Sequence, residues 1–204
     1  MNDSTINPPR EMNDQSFTAI VDMADHHLKS GNLAKAEALC QQALVIRPDS
    51  AEALFMAGAI AFQYSRYDEA LAFFERAAVQ TPTVAAIQNN LGTTLKLLKR
   101  FDEATSAFRR AVELQPDYPV AWFNLGSAEL ENGRIDQSED AFRHCLEFDP
   151  NHAEACNKLG AILADKSDYH AALALFKKSE SLYPHSPILF NNLGNLLKFM
   201  GRAD

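Results

Sequence analysis

A period of 34 residues constrains the fold more than any other feature of this sequence. Glycines recur at that step, and prolines and phenylalanines recur on the same spacing in two further columns. The three columns are Gly58, Gly92, Gly126, Gly160 and Gly194; Pro48, Pro82, Pro116, Pro150 and Pro184; and Phe74, Phe108, Phe142 and Phe176. Self-similarity at a fixed period of this length is typical of chains built from stacked supersecondary units.

The pattern within one period predicts two helices. We number each repeat from Phe17, Ala51, Ala85, Pro119, Ala153 or Pro187. Positions 4, 8 and 11 are largely apolar or glycine, which is the spacing of a helix stripe. Positions 20, 24 and 27 form a small-large-small stripe on a second helix, and the proline at position 32 ends that helix because the residue before a proline avoids helical geometry. A hairpin of this kind cannot bury its apolar face alone, so the hairpins must stack.

These columns resemble the tetratricopeptide repeat, in which W-x2-L-G-x2-Y, A-x3-F and Pro recur every 34 residues. The resemblance implies an all-α fold, a right-handed α-solenoid of helix-turn-helix repeats without strands. It covers the array 17–204, with repeats at 17–50, 51–84, 85–118, 119–152 and 153–186 and a partial sixth repeat at 187–204.

The two ends of the chain depart from the repeat. Residues 1–16 contain the pair Pro8-Pro9 and are mostly polar, so we expect a disordered or irregular lead-in there. The sixth repeat stops at Asp204 after its first helix, and that helix is as apolar as an interior one. A terminal helix needs a polar outer face, so we expect the chain to be part of a longer repeat protein; the alternative is that the lone helix caps the array.

Composition excludes several classes of partner. The formal charge of -8 argues against a nucleic-acid surface, which needs clustered Lys and Arg. No run approaches the roughly 20 apolar residues of a spanning helix, and residues 1–16 lack the features of a secretory signal. Three irregularly spaced cysteines do not make a disulfide scaffold. We therefore expect a cytoplasmic protein that neither binds nucleic acid nor inserts into a membrane.

No catalytic, metal or cofactor site is indicated by the motifs. Cys145, His152 and Cys156 have the spacing of metal ligands, but both cysteines fall on packing columns, at positions 27 and 4. His27 in the sequence Asp25-His26-His27 lies at position 11 of the apolar stripe, and no nucleophile has a recognisable setting. The glycines follow the repeat period and form no phosphate-binding loop. We predict that this chain is not an enzyme and holds no cofactor.

Asparagines mark the face of the first helices that turns away from the core stripe. At about 100° per residue, position 6 lies some 200° from position 4 and faces an open groove, and position 5 flanks it. The asparagines at these positions are Asn89, Asn90, Asn124, Asn157, Asn191 and Asn192. An amide offers one acceptor and two donors, which match the main chain of an extended peptide. The alternative is that these amides bond a neighbouring helix or face water.

The resemblance adds a function to this face. In tetratricopeptide repeats the first helices line a concave surface that binds extended peptides, and the O-linked N-acetylglucosamine transferases, which this repeat style resembles, hold protein substrates there with an asparagine ladder. We expect Phe55 and Phe123 to receive side chains of the ligand; packing between repeats is the alternative for these phenylalanines, notably for Phe55 and Phe62. Phe62 and Phe199 also lie on or beside the groove, whereas Trp122, at position 4, is expected in the core.

Charged residues at the groove positions bear on whether the ligand is the acidic tail of a heat-shock chaperone. Positions 2, 5, 6, 9, 12 and 13 carry four lysines, Lys96 and Lys158 among them, and six acids, so the face is mixed and slightly acidic. Family members that capture the acidic tails of heat-shock chaperones carry Lys at position 5, and here position 5 is never Lys or Arg. A chaperone-tail adaptor is therefore not expected.

Three functions remain. The leading one is a protein-protein interaction scaffold that binds an extended peptide or a flexible protein segment in the groove. The first alternative is that the chain recruits substrates for a larger enzyme, such as a glycosyltransferase resembling the O-linked N-acetylglucosamine transferases. The second is a self-assembling scaffold in which the exposed repeat ends of neighbouring chains stack.

Overall fold

Eleven helices make up the part of the chain that the structure describes, and no strand occurs in that part. The computed structural model describes the backbone of residues 10–203 and the side chains of residues 14–201. The helices are α1 (Arg10–Lys29), α2 (Leu33–Ile46), α3 (Ala51–Gln63), α4 (Tyr67–Gln80), α5 (Ala85–Leu97), α6 (Phe101–Leu114), α7 (Pro119–Glu131), α8 (Ile135–Phe148), α9 (Ala153–Asp165), α10 (Tyr169–Leu182) and α11 (Pro187–Ala203). None of these helices has both the length and the apolar character needed to cross a membrane.

The helices fall into two compact units, Met1–Lys99 and Arg100–Asp204. In unit 1, α1 pairs with α2 and α3 pairs with α4, while α5 packs against α4 and α3. In unit 2, α7 pairs with α8 and α9 pairs with α10, while α6 packs on α7 and α11 packs on α10 and α9. We call α1, α3, α5, α7, α9 and α11 the first helices and the others the second helices.

The glycine and phenylalanine columns meet inside the hairpins. A Cβ atom added to Gly58 would lie 2.7 Å from the ring of Phe74, and one added to Gly160 would lie 2.7 Å from the ring of Phe176. These rings are fully buried. The glycine at position 8 therefore lets the large side chain of the second helix reach the backbone of the first, which confirms the packing predicted from the pattern.

Every hairpin turn uses one left-handed residue at position 15, a column that the sequence pattern did not reveal. Gly31 and Gly133 occupy it with φ of 77° and 71°. Three other turns place a residue with a side chain in the same conformation: Ser65, Lys99 and Ser167. A left-handed residue just after a helix satisfies the last carbonyl groups of that helix, so the turn geometry is kept even where glycine is absent.

Two expectations need correction. Helix α1 begins at Arg10, so residues 10–16 are helical and not irregular, whereas residues 1–9 lie outside the described part. An ion pair between Asp14 and Arg47 ties this first part of α1 to the end of α2. Trp122 is only half-buried: its indole N–H donates to the carbonyl of Pro116 at 2.7 Å, and its ring stacks on His144 at 4.5 Å. An indole keeps such a partner because an unpaired buried N–H is costly.

Candidate functional site

The first helices of unit 1 border an open apolar pocket of about 280 Å³. Ala51, Glu52 and Phe55 of α3 form one wall, and the other residues come from α5 and the turn before it: Thr81, Val84, Ala86 and Ile87. We call this the Phe55 pocket. Its single ionisable lining residue is Glu52, which is exposed. The volume is near the lower end of ligand pockets, about 300 Å³, and suits one large apolar side chain.

Phe55 is held in place from its core side. Its ring centroid lies 5.8 Å from that of Phe74 in a tilted arrangement, and the residue is half-buried. The sequence offered two interpretations of Phe55, ligand contact and packing between repeats. The side chain packs on Phe74 of its own repeat and against a core cluster that includes Ile87 of the next repeat, and it also lines the pocket. A packed ring with one open side is a rigid wall for an incoming side chain.

The asparagines of α5 do not share one environment. Asn89 is buried, which counts against the prediction that it presents its amide to a ligand. Asn90 is half-buried, and Ala86 of the pocket wall precedes it by four residues on the same helix face. Met56, which shares position 6 with Asn90, is buried in the core cluster of unit 1, so position 6 does not face the groove in every repeat. Lys96 on the same helix is half-buried.

In unit 2 two of the predicted asparagines bond each other. The Nδ2 atom of Asn192 on α11 donates to Oδ1 of Asn157 on α9 at 3.0 Å. This contact matches the alternative interpretation, in which the amides join neighbouring helices. It uses one donor and one acceptor of the pair, and an Asn amide has capacity for more than one bond. Asn191 and Lys158 are exposed, and Asn124 on α7 is half-buried.

Phe123 is engaged within unit 2. Its ring stacks on His152 with centroids 4.6 Å apart and lies 5.7 Å from the ring of Phe142. His152 is itself fixed, because its Nδ1 accepts a hydrogen bond from the amide of Ala155 and caps α9. Packing inside the unit therefore accounts for Phe123 better than a pocket for a ligand does.

A buried ionic cluster on unit 2 escaped the sequence pattern. Glu129 occupies position 11, where the stripe is otherwise mostly apolar, and is 1% exposed. Its carboxylate accepts hydrogen bonds from Arg109 at 2.5 Å and Arg134 at 3.2 Å, and Arg134 also pairs with Asp102 at 2.6 Å. Burying a carboxylate is costly unless hydrogen bonds and opposite charges of this kind compensate for the lost water. The acid at an apolar position was the one sequence signal that pointed to this cluster.

The cysteines behave as core residues. Cys40, Cys145 and Cys156 are reduced and buried, which confirms the packing interpretation of their positions. Burial raises the pKa of the Cys40 thiol to about 11 and that of the Cys145 thiol to about 12, so neither is a ready nucleophile. Within residues 14–201, no group of three His, Cys, Asp or Glu side chains is placed to hold a metal ion.

Three solved structures illustrate the similarity of this fold to known proteins. YrrB, described as a TPR protein with an unusual peptide-binding site, is 26% identical, with a TM-score of 0.75 over 89% of this chain and 93% of that one. The pilF protein of Pseudomonas aeruginosa is 21% identical, with a TM-score of 0.83 over 93% and 86% of the two chains. MamA of Desulfovibrio magneticus RS-1 is 18% identical, with a TM-score of 0.74 over 84% and 97%.

Family models agree with the fold. No curated protein matches the chain significantly. One tetratricopeptide repeat model matches residues 21–85 and 129–187, and a second matches residues 83–151. Repeats of this kind act in protein-protein interaction, and this is the coarse function that the fold assigns. The matched ranges and the Gly-Phe contacts lead to one conclusion: the chain belongs to the tetratricopeptide repeat family.

Proposed function

We propose that this scaffold binds an extended peptide along the first helices of unit 1, with one large apolar side chain of the peptide in the Phe55 pocket. The observation that carries the proposal is the pocket itself, an open apolar recess on the face that the sequence pattern predicts for ligands. Burying a Leu, Ile or Phe side chain contributes about 1.5–3 kcal/mol, which is enough to anchor a segment whose remaining contacts are weak.

The main chain of the peptide would run from the pocket toward Asn90. Ala86 and Asn90 are four residues apart on α5, so the amide lies one helical turn beyond the pocket wall. An Asn amide bonds both the C=O and the N–H of an extended segment without regard to its sequence. On unit 2, Asn124 and Asn191 stay candidates for the same kind of contact, and Lys158 for a bond to a peptide carbonyl, whereas Asn157 and Asn192 bond each other.

One structural neighbour supports a peptide as the ligand class. YrrB has the same fold at 26% identity and is described as having a peptide-binding site. The exposed acids on the first helices of unit 1 favour peptides that carry a positive charge. Asp22 and Glu52 are exposed, and Lys29 is paired with Asp25 at 2.5 Å, so a peptide with a basic residue beside its apolar anchor fits this face best.

The experiment is a random-peptide selection against the whole chain, followed by affinity measurement on Val84→Asp. Val84 lines the pocket and is the N-cap of α5 without a side-chain cap bond. An aspartate there supplies the missing cap, which stabilises the helix by about 0.5–2 kcal/mol, and places a charge in the pocket wall. We expect the melting temperature to rise while the affinity for the selected peptides falls about tenfold or more.

Val45→Asp is the control, because Val45 is an exposed valine on the second helix α2 of the same unit, away from the first helices. It should leave the affinity unchanged. Equal affinity of the wild-type chain and Val84→Asp for every selected peptide would show that the Phe55 pocket is not the binding site.

A further inference from the structure

Another apolar recess lies on the second helices of unit 2, between α8 and α10. It has a volume of about 580 Å³, and Leu159 and Leu163 of α9 form its floor. Its walls are apolar residues of α8 and α10: Leu146, Ala171, Ala174 and Leu175. We call it the Leu159 groove. It lies between the fourth and fifth repeats, which are both complete, and its volume is within the range of ligand pockets, about 300–1,000 Å³.

The corresponding place in unit 1 is nearly closed. There the recess between α2 and α4 has a volume of about 30 Å³, and Glu69 and Phe73 line it from α4. These two residues occupy positions 19 and 23 of the second repeat, and the same positions of the fifth repeat are Ala171 and Leu175. The Leu159 groove is therefore open because the fifth repeat carries smaller side chains at these two positions than the second repeat does.

The lining of the groove favours a helix over an extended peptide. Its polar lining residues are Arg143, Glu147 and Asp168, and all three are exposed. Arg143 donates to Glu139 at 2.7 Å, and Asp168 caps α10 by accepting from the amide of Ala171 at 3.2 Å. An extended segment in the groove would turn many of its N–H and C=O groups toward apolar side chains, which is costly. A helix satisfies these groups within itself.

The charges at the two ends of the groove determine which partner fits. Glu147 lies in the last turn of α8, and Asp168 directly precedes α10. Short turns reverse the chain before and after α9, so α8 and α10 run in the same direction and the two acids lie toward opposite ends of the groove. The positive charge of Arg143 is already paired with Glu139. A segment with Lys or Arg at each end complements this pattern, and the carboxylate of a fatty acid does not.

We propose that the Leu159 groove binds an amphipathic helix of a protein partner, with large apolar side chains in the groove and a basic residue beyond each end of them. The groove extends over two turns of α10, from Asp168 to Leu175, or roughly 10 Å. Two large apolar residues three or four positions apart on the partner helix cover that length. The groove lies on unit 2 and the Phe55 pocket on unit 1, so the inference does not depend on the proposed peptide site.

The test selects partner helices from a displayed library and measures their affinity for variants of the whole chain. Each library member is a stable helical miniprotein with one randomised face. Ala171→Glu is the blocking variant, because it places in the groove the side chain that Glu69 supplies in unit 1. A glutamate as the third residue of α10 also suits the positive end of that helix, so we expect the melting temperature to be kept. The enriched helices should bind Ala171→Glu about tenfold more weakly or worse, and Ala174→Glu, at an exposed position of the same wall, should give the same loss.

Gln137→Glu is the matched control, because Gln137 is exposed and is the third residue of α8, outside the groove. It should leave the affinity unchanged, and so should Val84→Asp in the Phe55 pocket. Glu147→Gln should weaken binding about threefold, because it removes one of the two end charges. Helices that bind Ala171→Glu as tightly as the wild-type chain would overturn the proposal, and so would a library from which no helix is enriched. A fluorescent fatty acid that binds the wild-type chain but not Ala171→Glu would also overturn it, since an acyl chain would then be the occupant.

Discussion

Gly160 and Gly194 occupy the same repeat position but have different surroundings. At the scale of single residues, this contrast shows which properties of a residue follow from its repeat position. The first lies against a buried ring, and the second has open space beside it. The recurrence of glycine at position 8 predicted close helix approach correctly. It could not tell that no described residue lies within 4 Å of a Cβ atom at Gly194, because that depends on the helix packed opposite and not on the glycine itself.

These two glycines give a paired stability prediction. Gly160→Ala forces a methyl group to 2.7 Å from the Phe176 ring, and overpacking of this kind costs about 1–3 kcal/mol. Gly194→Ala removes the entropic penalty of glycine in a helix without a clash and should stabilise the chain by about 0.5–1 kcal/mol. Urea unfolding of both variants measures the difference. Destabilisation of the same size at both positions would show that the Gly160-Phe176 contact is not as close as described.

Glu129 gives a second prediction at this scale. Glu129→Gln leaves Arg109 and Arg134 facing a neutral amide in a buried place. The two arginine side chains are 52% and 39% exposed and can turn to water, so we expect a loss of about 1–3 kcal/mol and not the full cost of an unpaired buried charge. Asp102→Asn, at the exposed end of the cluster, should cost less than about 1 kcal/mol. Thermal unfolding of the two variants ranks them, and a reversed order would contradict the assignment of Glu129 as the centre of the cluster.

At the scale of elements, charged side chains join successive second helices and turns. Lys166, at the end of α9, donates to Asp136 and Glu139 of α8, and Arg143 donates to Glu139 along α8 itself. In unit 1, Arg66 reaches Glu37 of the preceding hairpin in the same way. These contacts hold each hairpin to the one before it at the edge where the apolar core ends.

Glu139 makes this arrangement sensitive to pH. Hydrogen bonds from Lys166 and then Arg143 lower the pKa of the Glu139 carboxyl below its ordinary value of 4.5. A carboxyl with a lowered folded-state pKa contributes stability that is present above 4.5 and is lost as the pH falls through the folded-state pKa. Urea unfolding should therefore show that Glu139→Gln is less stable than the wild-type chain by about 1 kcal/mol at pH 7, and that the difference closes below pH 4.5. A stability difference that does not change with pH would mean that the ion pairs of Glu139 are not its cause.

The sequence predicted the elements well and the exposed face only in part. Two helices per repeat follow from the apolar stripe and the proline column, and both are visible without a structure. Position 5, in contrast, lies only about 100° from the core stripe, so Asn89 and Phe55 turn toward the neighbouring helix and become buried or half-buried. The Phe55 pocket needs Thr81 and Val84 of the preceding turn, whose placement no helix period specifies.

At the scale of the whole molecule, each unit contains a buried thiol whose modification rate measures how often that unit opens. Cys40 lies in unit 1, and Cys145 and Cys156 lie in unit 2. Burial raises the pKa of each thiol, so thiolate is scarce in the folded chain at pH 8. We expect a thiol reagent to modify all three only as fast as the surrounding unit opens, and the rates to rise with urea. Rapid modification of the folded chain at any of the three would contradict the described packing.

The most direct test of the account is to map a selected peptide on the chain by NMR chemical-shift changes. We expect the largest changes on the first helix α5 of unit 1 and the turn before it, at Val84, Ala86, Ile87 and Asn90. We also expect a large apolar residue of the peptide to show contacts to the ring of Phe55. Changes concentrated on the second helices α2 and α4, with none around the Phe55 pocket, would contradict it.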